Sequence, residues 1–219
     1  MIIIENLYPK ENIQYMKKFK SLAPELYGKY VDFSKTVLNE GTLTRKEKEI
    51  IAVAVSCVTE CPYCIDFHTK KAKDHGATVE ELFEAILTAA AIEAEGPYAH
   101  RLQMYNASDE NPKNMIYDRS DIQKLDSLTD LPAMIHSSAA SFFTAATSDG
   151  KLSAKMKELI AVSVAHTTEC PYAIHKHTKK ARNEGCSKQE LAEAVMVAAL
   201  VKSGGVVTHA TNMMRAFEE

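Results

Sequence analysis

The chain has 219 residues, of which 46% are apolar and 25% charged, and its formal net charge is −3 at pH 7. This composition is typical of a globular protein and excludes collagen-like and disordered chains. Without a basic excess to neutralise phosphates, we expect no nucleic-acid partner. The apolar run Met1–Ile4 is too short for a signal peptide, and we find no apolar stretch of about 18 residues, so we expect a cytoplasmic protein with no membrane span.

The first predicted helix follows an N-terminal arm, which we place at residues 1–20 and expect to be partly helical. Apolar residues recur at helical spacing from Ser21 to about Leu38. A second helix opens at Thr44, which forms a capping-box pattern with Glu47. Both segments therefore predict helices that bury one face.

A third and a fourth helix follow in the same region. Proline favours the first position of a helix, so we start the third at Pro62 and end it at Gly76. The fourth is rich in alanine, starts after the capping residue Thr78, and is expected to end before Gly96. We find no alternating pattern typical of strands.

An internal repeat determines the predicted architecture. The motif Cys61-Pro-Tyr-Cys64 recurs 109 residues later as Cys170-Pro-Tyr-Ala173, and residues 41–88 align with 150–197 without a gap, with 25 of 48 positions identical. We predict an all-α fold of two tandem units that form a pseudo-dimer. The units are placed at 21–106 and 130–219, joined by a polar linker at 107–129 that holds one short helix.

The five cysteines indicate where chemistry resides. Three of them, Cys57, Cys61 and Cys64, fall within eight residues, and the other two are Cys170 and Cys186. An odd number without a secretory signal does not fit a disulfide framework. Clustered cysteines in a reducing compartment are instead typical of redox or metal sites.

The cysteine cluster has the spacing of a reactive dithiol. Cys61, Cys64 and His68 lie at i, i+3 and i+7, so they share one helix face. A helix start and a nearby histidine both favour thiolate over thiol. The helix start favours Cys61 as the more acidic thiol, whereas His68 favours Cys64. If the preceding helix folds back antiparallel, Glu49 can orient or protonate His68.

This pattern, Glu49 followed by Cys61-Pro-Tyr-Cys64 and His68, resembles the alkylhydroperoxidase D-like group of the carboxymuconolactone decarboxylase superfamily. The resemblance implies an all-helical oligomer that reduces hydroperoxides without a cofactor or metal. It implies that Cys64 attacks the peroxide, Cys61 resolves the product, and Glu49 and His68 relay protons. It further implies a dithiol reductant, such as a lipoylated or thioredoxin-like protein.

The second copy departs from the pattern, because Ala173 replaces the attacking cysteine while Glu158, Cys170 and His177 persist. We therefore interpret it as a degenerate site retained for packing. If single-unit relatives assemble as trimers of dimers, a fused pair is expected to form a homotrimer.

Three other interpretations are open. Cys61, Cys64 and His68 could bind zinc with Cys57 or Glu49 as the fourth ligand, although three ligands on one short helix are awkward for a closed site. A lactone decarboxylase is the second, although its chemistry does not call for two cysteines. The third is a non-enzymatic redox sensor.

Overall fold

The structure is a computed structural model that describes residues 8–111, 117–118, 120–125 and 130–219. Within these ranges every regular element is a helix and no strand occurs, which confirms the predicted all-α class. In chain order the elements are a 3₁₀ helix (Lys10–Tyr15) and the α-helices α1 (Met16–Leu22), α2 (Pro24–Leu38), α3 (Arg45–Val58), α4 (Pro62–Asp74), α5 (Val79–Ser108), α6 (Asp121–Leu125), α7 (Ala133–Thr147), α8 (Ala154–Thr167), α9 (Pro171–Asn183) and α10 (Lys188–Glu218).

Two predicted helix boundaries differ from the structure. The helix expected from Ser21 is divided at Ala23, because Pro24 has no N–H for the preceding turn and occupies the first position of α2. The helix expected to end before Gly96 instead continues to Ser108, so that prediction was wrong. Pro97 costs one backbone hydrogen bond, but residues beyond it, including Ala99 and Leu102, are buried and hold the helix together.

The predicted arm and linker are only partly described. In the arm, residues 10–15 form the 3₁₀ helix and α1 begins at Met16, whereas residues 1–7 lie outside the described ranges. In the linker, α6 occupies the place of the predicted short helix. The linker residues 112–116, 119 and 126–129 also lie outside the described ranges.

The core lies between the two repeated units. α3 and α8, which occupy the same place in the two copies, pack against each other and are buried along most of their length. Within each unit, α4 packs on α3 and α9 packs on α8. The long helices cross between units: α5 contacts α8 and α10 contacts α3. The two units therefore form an intertwined pseudo-dimer with a shared hydrophobic core.

A carboxylate on α10 anchors the second unit to the first. Glu193 accepts hydrogen bonds from the backbone N–H groups of Thr42 (2.8 Å) and Leu43 (3.3 Å), and it pairs with Lys48 at 2.8 Å. Burial alone would raise the pKa of Glu193, but the bonds from Lys48, Thr42 and Leu43 outweigh it and lower the pKa to about 2. The contact is therefore made by the ionised carboxylate.

The first unit makes the equivalent contact with the second. Glu84 on α5 accepts from the backbone N–H groups of Lys151 (2.9 Å) and Leu152 (3.0 Å) and pairs with Lys157 at 2.9 Å. Its pKa is also lowered to about 2, because these bonds outweigh the opposing effect of burial. We call the contacts of Glu84 and Glu193 the crossed carboxylate contacts. They show that the pseudo-twofold relation extends to individual side chains.

One described helix, α10, has the length and apolar composition that crossing a membrane requires. In this fold it packs against α2, α3 and α8, and its buried residues include Val197, Val201 and Met214. Of the most apolar window of α10, 39% is buried inside the protein.

Candidate active site

The loop between α3 and α4 places Cys61 at the start of α4. Glu60, just before it, adopts a left-handed backbone conformation (φ 52°), and Glu169 does the same in the second copy (φ 58°). Cys61 is the N-cap of α4, and its Sγ accepts a hydrogen bond from the N–H of Cys64 at 3.3 Å. Pro62 takes the first helical position, as predicted.

Cys61 and Cys64 are joined as a disulfide, with their Cα atoms 5.3 Å apart. The i, i+3 spacing therefore brings the two sulfurs to one helix face. Cys61 is fully buried, whereas Cys64 lies on the wall of a pocket. Both side chains are buried, with 0% of Cys61 and 4% of Cys64 exposed, and they differ in that Cys64 lines the pocket.

The structure also brings Glu49 and His68 together. α3 and α4 pack against each other, and Oε2 of the buried Glu49 lies 2.8 Å from Nδ1 of His68. The other oxygen, Oε1, faces Arg45 Nε at 3.6 Å. The carboxylate thus fixes the orientation of the ring, and Nε2 on the opposite edge has no hydrogen-bond partner among the described residues.

The sequence analysis missed residues that α10 of the second unit supplies to this site. The hydroxyl of Thr208 lies 3.4 Å from Sγ of Cys61 and 3.7 Å from Sγ of Cys64. Asn212 accepts a hydrogen bond from the Tyr63 hydroxyl at 3.2 Å. The repeat held one signal for Thr208, because the equivalent residue in the first unit is Ala99. The difference between Thr208 and Ala99 is informative only because α10 crosses onto the first unit and places Thr208 beside Cys61 and Cys64.

An apolar pocket of about 430 Å³ opens beside Cys64 and His68. We call it the first pocket. Its walls come mostly from the N-terminal helices and from α10, and besides the two site residues they comprise Ile13, Met16, Tyr27, Tyr30, Val31, Ser34, Lys35, Leu38, Tyr63, Phe67, Leu200, Val201, Gly204 and Thr208. Its size and apolar walls suit a small organic molecule.

The second copy holds an equivalent arrangement beside a pocket of about 290 Å³, whose walls include Glu95 and Ala173 but not His177. Nδ1 of His177 lies 2.8 Å from Glu158, as in the first site, but Nε2 lies 2.9 Å from Glu95. Burial alone would lower the pKa of His177, but the hydrogen bonds with Glu158 and Glu95 outweigh it and raise the pKa. Cys170 is buried, and its Sγ lies 3.2 Å from Nε2 of His100.

The other cysteines do not join the first site's disulfide. Cys57 is half-buried, and burial raises the pKa of its thiol. Cys186 is buried away from the disulfide, and desolvation raises its pKa to about 11. Within the described part of the chain, no group of three or more His, Cys, Asp or Glu side chains is arranged to hold a metal ion. The zinc alternative therefore has no ligand set there.

Comparison with known proteins identifies both halves of the chain with one family. Residues 24–102 and 137–216 each match the family model described as the carboxymuconolactone decarboxylase family. A crystal structure from Burkholderia xenovorans LB400, provisionally named a gamma-carboxymuconolactone decarboxylase subunit, superimposes with a TM-score of 0.66. It covers 94% of each chain at 16% sequence identity, and at that identity the likeness concerns the fold alone.

Two curated relatives have no assigned activity. Uncharacterized protein 4 in the cox locus of Paracoccus denitrificans is 43% identical over 81 residues, which are 37% of this chain and 73% of that protein. An uncharacterized protein of Cupriavidus necator is 40% identical over 52 residues, which are 24% of this chain and 46% of its own length.

Proposed function

Because this chain belongs to the carboxymuconolactone decarboxylase family, whose fold is compatible with several chemistries, we propose its activity from the site itself: thiol-dependent reduction of organic hydroperoxides. The observation that carries the proposal is the placement of Cys64. It is bonded to Cys61, lies on the wall of an apolar pocket, and shares that pocket with a histidine held by a buried glutamate.

In the reduced protein, Cys64 is the attacking thiolate and Cys61 the resolving thiol. The difference in access supports this order, since Cys64 lines the first pocket while Cys61 is fully buried behind it. The Cys64 thiolate attacks the terminal oxygen of the hydroperoxide, the O–O bond breaks, and Cys64 becomes a sulfenic acid.

His68 supplies the proton that the leaving alkoxide needs. Glu49 binds Nδ1, so Nε2 is the position that takes up the proton lost by the Cys64 thiol and passes it to the alkoxide, which departs as an alcohol. Cys61 then attacks the sulfenic sulfur, water leaves, and the disulfide seen in the structure is formed.

An external dithiol completes the cycle by thiol–disulfide exchange and leaves as a disulfide. In sum, one hydroperoxide and one dithiol give one alcohol, one water and one disulfide. We expect the dithiol to be that of a lipoylated or thioredoxin-like protein. The walls of the first pocket favour organic hydroperoxides over hydrogen peroxide, because apolar substituents gain from leaving water there.

The test is a steady-state peroxidase assay with cumene hydroperoxide and dihydrolipoamide. We expect turnover by the wild type, loss of turnover in Cys64→Ser, and a fall of at least about 100-fold in His68→Gln, the range of general acid–base contributions. Cys186→Ser is the matched control, because that thiol is buried outside the site, and it should retain wild-type turnover. Full activity of Cys64→Ser would reject the mechanism.

The same assay separates an enzyme from a redox sensor. An enzyme consumes many equivalents of hydroperoxide per chain while the reductant lasts. A sensor consumes about one equivalent, forms the Cys61–Cys64 disulfide and stops on the time scale of the assay.

A further inference from the structure

The two copies differ at one position that faces the imidazole of each site. By the 109-residue offset, Gly204 on α10 is equivalent to Glu95 on α5. Each of these helices crosses to the opposite unit, so Gly204 lies beside the first site and Glu95 beside the second. The consequences for the two histidines are different.

In the second site, Glu95 occupies the space in front of Nε2 of His177, and it lines a pocket of about 290 Å³ whose walls do not include His177. Its Oε2 lies 2.9 Å from Nε2 of His177, and its Oε1 lies 2.6 Å from Nζ of Lys176. With Glu158 on its other nitrogen, the His177 ring has both nitrogens occupied and is 0% exposed. A small molecule in that site has no access to the imidazole.

In the first site, glycine leaves the corresponding space open. Gly204 lines the first pocket together with Cys64 and His68. A Cβ added at Gly204 would lie 3.4 Å from the Tyr30 hydroxyl, and further side-chain atoms would extend into the cavity. Nε2 of His68 has no hydrogen-bond partner among the residues that the structure describes, in contrast to Nε2 of His177.

We propose that position 204 determines access to the reactive imidazole: Gly204 leaves Nε2 of His68 open to the first pocket, and a side chain there screens it, as Glu95 screens His177 from the pocket beside it. Gly204 is thus a specificity-determining residue and makes no chemical contribution itself. The part that concerns turnover rests on the proposed function, whereas the part that concerns access does not.

The wild-type protein tests access without any substitution. Diethylpyrocarbonate modifies accessible neutral imidazoles, and peptide mapping by mass spectrometry assigns each modified histidine. We expect His68, which lines the first pocket and is 7% exposed, to react at least about tenfold faster than His177, which is 0% exposed and reacts only when the structure opens. The exposed His75 provides the rate for an unprotected ring. Equal rates for His68 and His177 would overturn the proposal.

Three substitutions then test position 204 itself. In the reduced protein, Gly204→Glu should slow iodoacetamide alkylation of Cys64 by about tenfold or more, because the reagent would need the pocket to open. Gly204→Gln should slow it similarly by filling the same space. Gly204→Ala adds only the Cβ that meets Tyr30, and should remain within about threefold of wild type.

Modification of His68 gives a second readout on the same variants. An added side chain would face Nε2 of His68 as Glu95 faces Nε2 of His177, so His68 should react at least about tenfold more slowly with diethylpyrocarbonate in Gly204→Glu and in Gly204→Gln than in the wild type. If Gly204→Glu leaves both the alkylation of Cys64 and the modification of His68 at their wild-type rates, the proposal is wrong. If the wild type lacks peroxidase turnover while these access results hold, only the proposed function fails.

Discussion

Replacing Glu193 by glutamine tests whether the crossed carboxylate contacts hold the two units together as charged groups. The carboxylate accepts from Thr42 and Leu43 and pairs with Lys48, whose own side chain is 4% exposed. Glutamine keeps the size of the side chain and one acceptor oxygen. It removes the negative charge and directs an NH₂ group at one of these donors.

The magnitude follows from the pKa. A carboxyl whose pKa falls from 4.5 to about 2 on folding contributes at most about 3.4 kcal/mol at neutral pH, at about 1.36 kcal/mol for each pH unit. The Glu193 side chain is 27% exposed, and screening by solvent reduces this to about 1.5–2.5 kcal/mol. We expect Glu193→Gln to lower the free energy of unfolding by that amount at pH 7.

The pH dependence identifies charge as the cause. Because the folded pKa of Glu193 is depressed, its contribution is complete above the unfolded value of 4.5 and is lost as the pH falls toward about 2. Urea unfolding at pH 7 and near pH 3 should show the difference between wild type and variant shrinking to less than about half. The exposed Glu40→Gln is the control. A difference of the same size at both pH values would refute the reasoning.

Three further outcomes are expected. Glu158→Gln should lower the free energy of unfolding by about 2–3 kcal/mol, because it removes a charge partner of buried His177. Hydrogen bonds raise the pKa of His177 over the opposing effect of burial, so this loss should be present below pH 6.5 and vanish as the pH rises through the raised pKa. A loss that does not depend on pH in urea unfolding would contradict this. In the disulfide state the Thr208 hydroxyl donates to the carbonyl oxygens of Gly204 (3.0 Å) and Gly205 (3.1 Å), and on reduction we expect it to turn its proton to the nearby thiolate. Thr208→Val should therefore slow alkylation of the reduced Cys61–Cys64 pair near neutral pH roughly tenfold, because a hydrogen bond to a charged group contributes roughly 1.5–3 kcal/mol. An unchanged rate would show that the hydroxyl does not stabilise thiolate. Cys186, with a pKa raised to about 11 by desolvation, should react with iodoacetamide at pH 8 at least about 100-fold more slowly in the native than in the urea-unfolded chain.

Local sequence signals predicted the parts of the site that lie within one helix or one helix pair. The spacing of Cys61, Cys64 and His68 is a property of a single helix, and the structure places the two sulfurs together. The approach of Glu49 to His68 required only that α3 and α4 fold back on each other, and the 2.8 Å contact agrees with that expectation. Their roles in catalysis remain predictions.

The features that sequence analysis missed depend on contacts between the units. Thr208 and Gly204 are about 140 residues from the cysteines along the chain, and no periodic pattern connects them to that motif. The true end of α5 was missed for the same reason, since Pro97 is a local stop signal whereas the packing that continues the helix is tertiary. Packing between the two units therefore determines these features, which the local motif does not encode.

The crossing of α10 has a consequence for how such a chain can evolve. The downstream half has alanine where the upstream motif has its second cysteine, yet it contributes Thr208, Gly204 and Asn212 to the site of the upstream half. Deleting the second copy would remove one wall of the first pocket and expose the apolar side of α3 to solvent. The second copy therefore cannot be removed or reshaped without changing the site of the first, even though its own motif is incomplete.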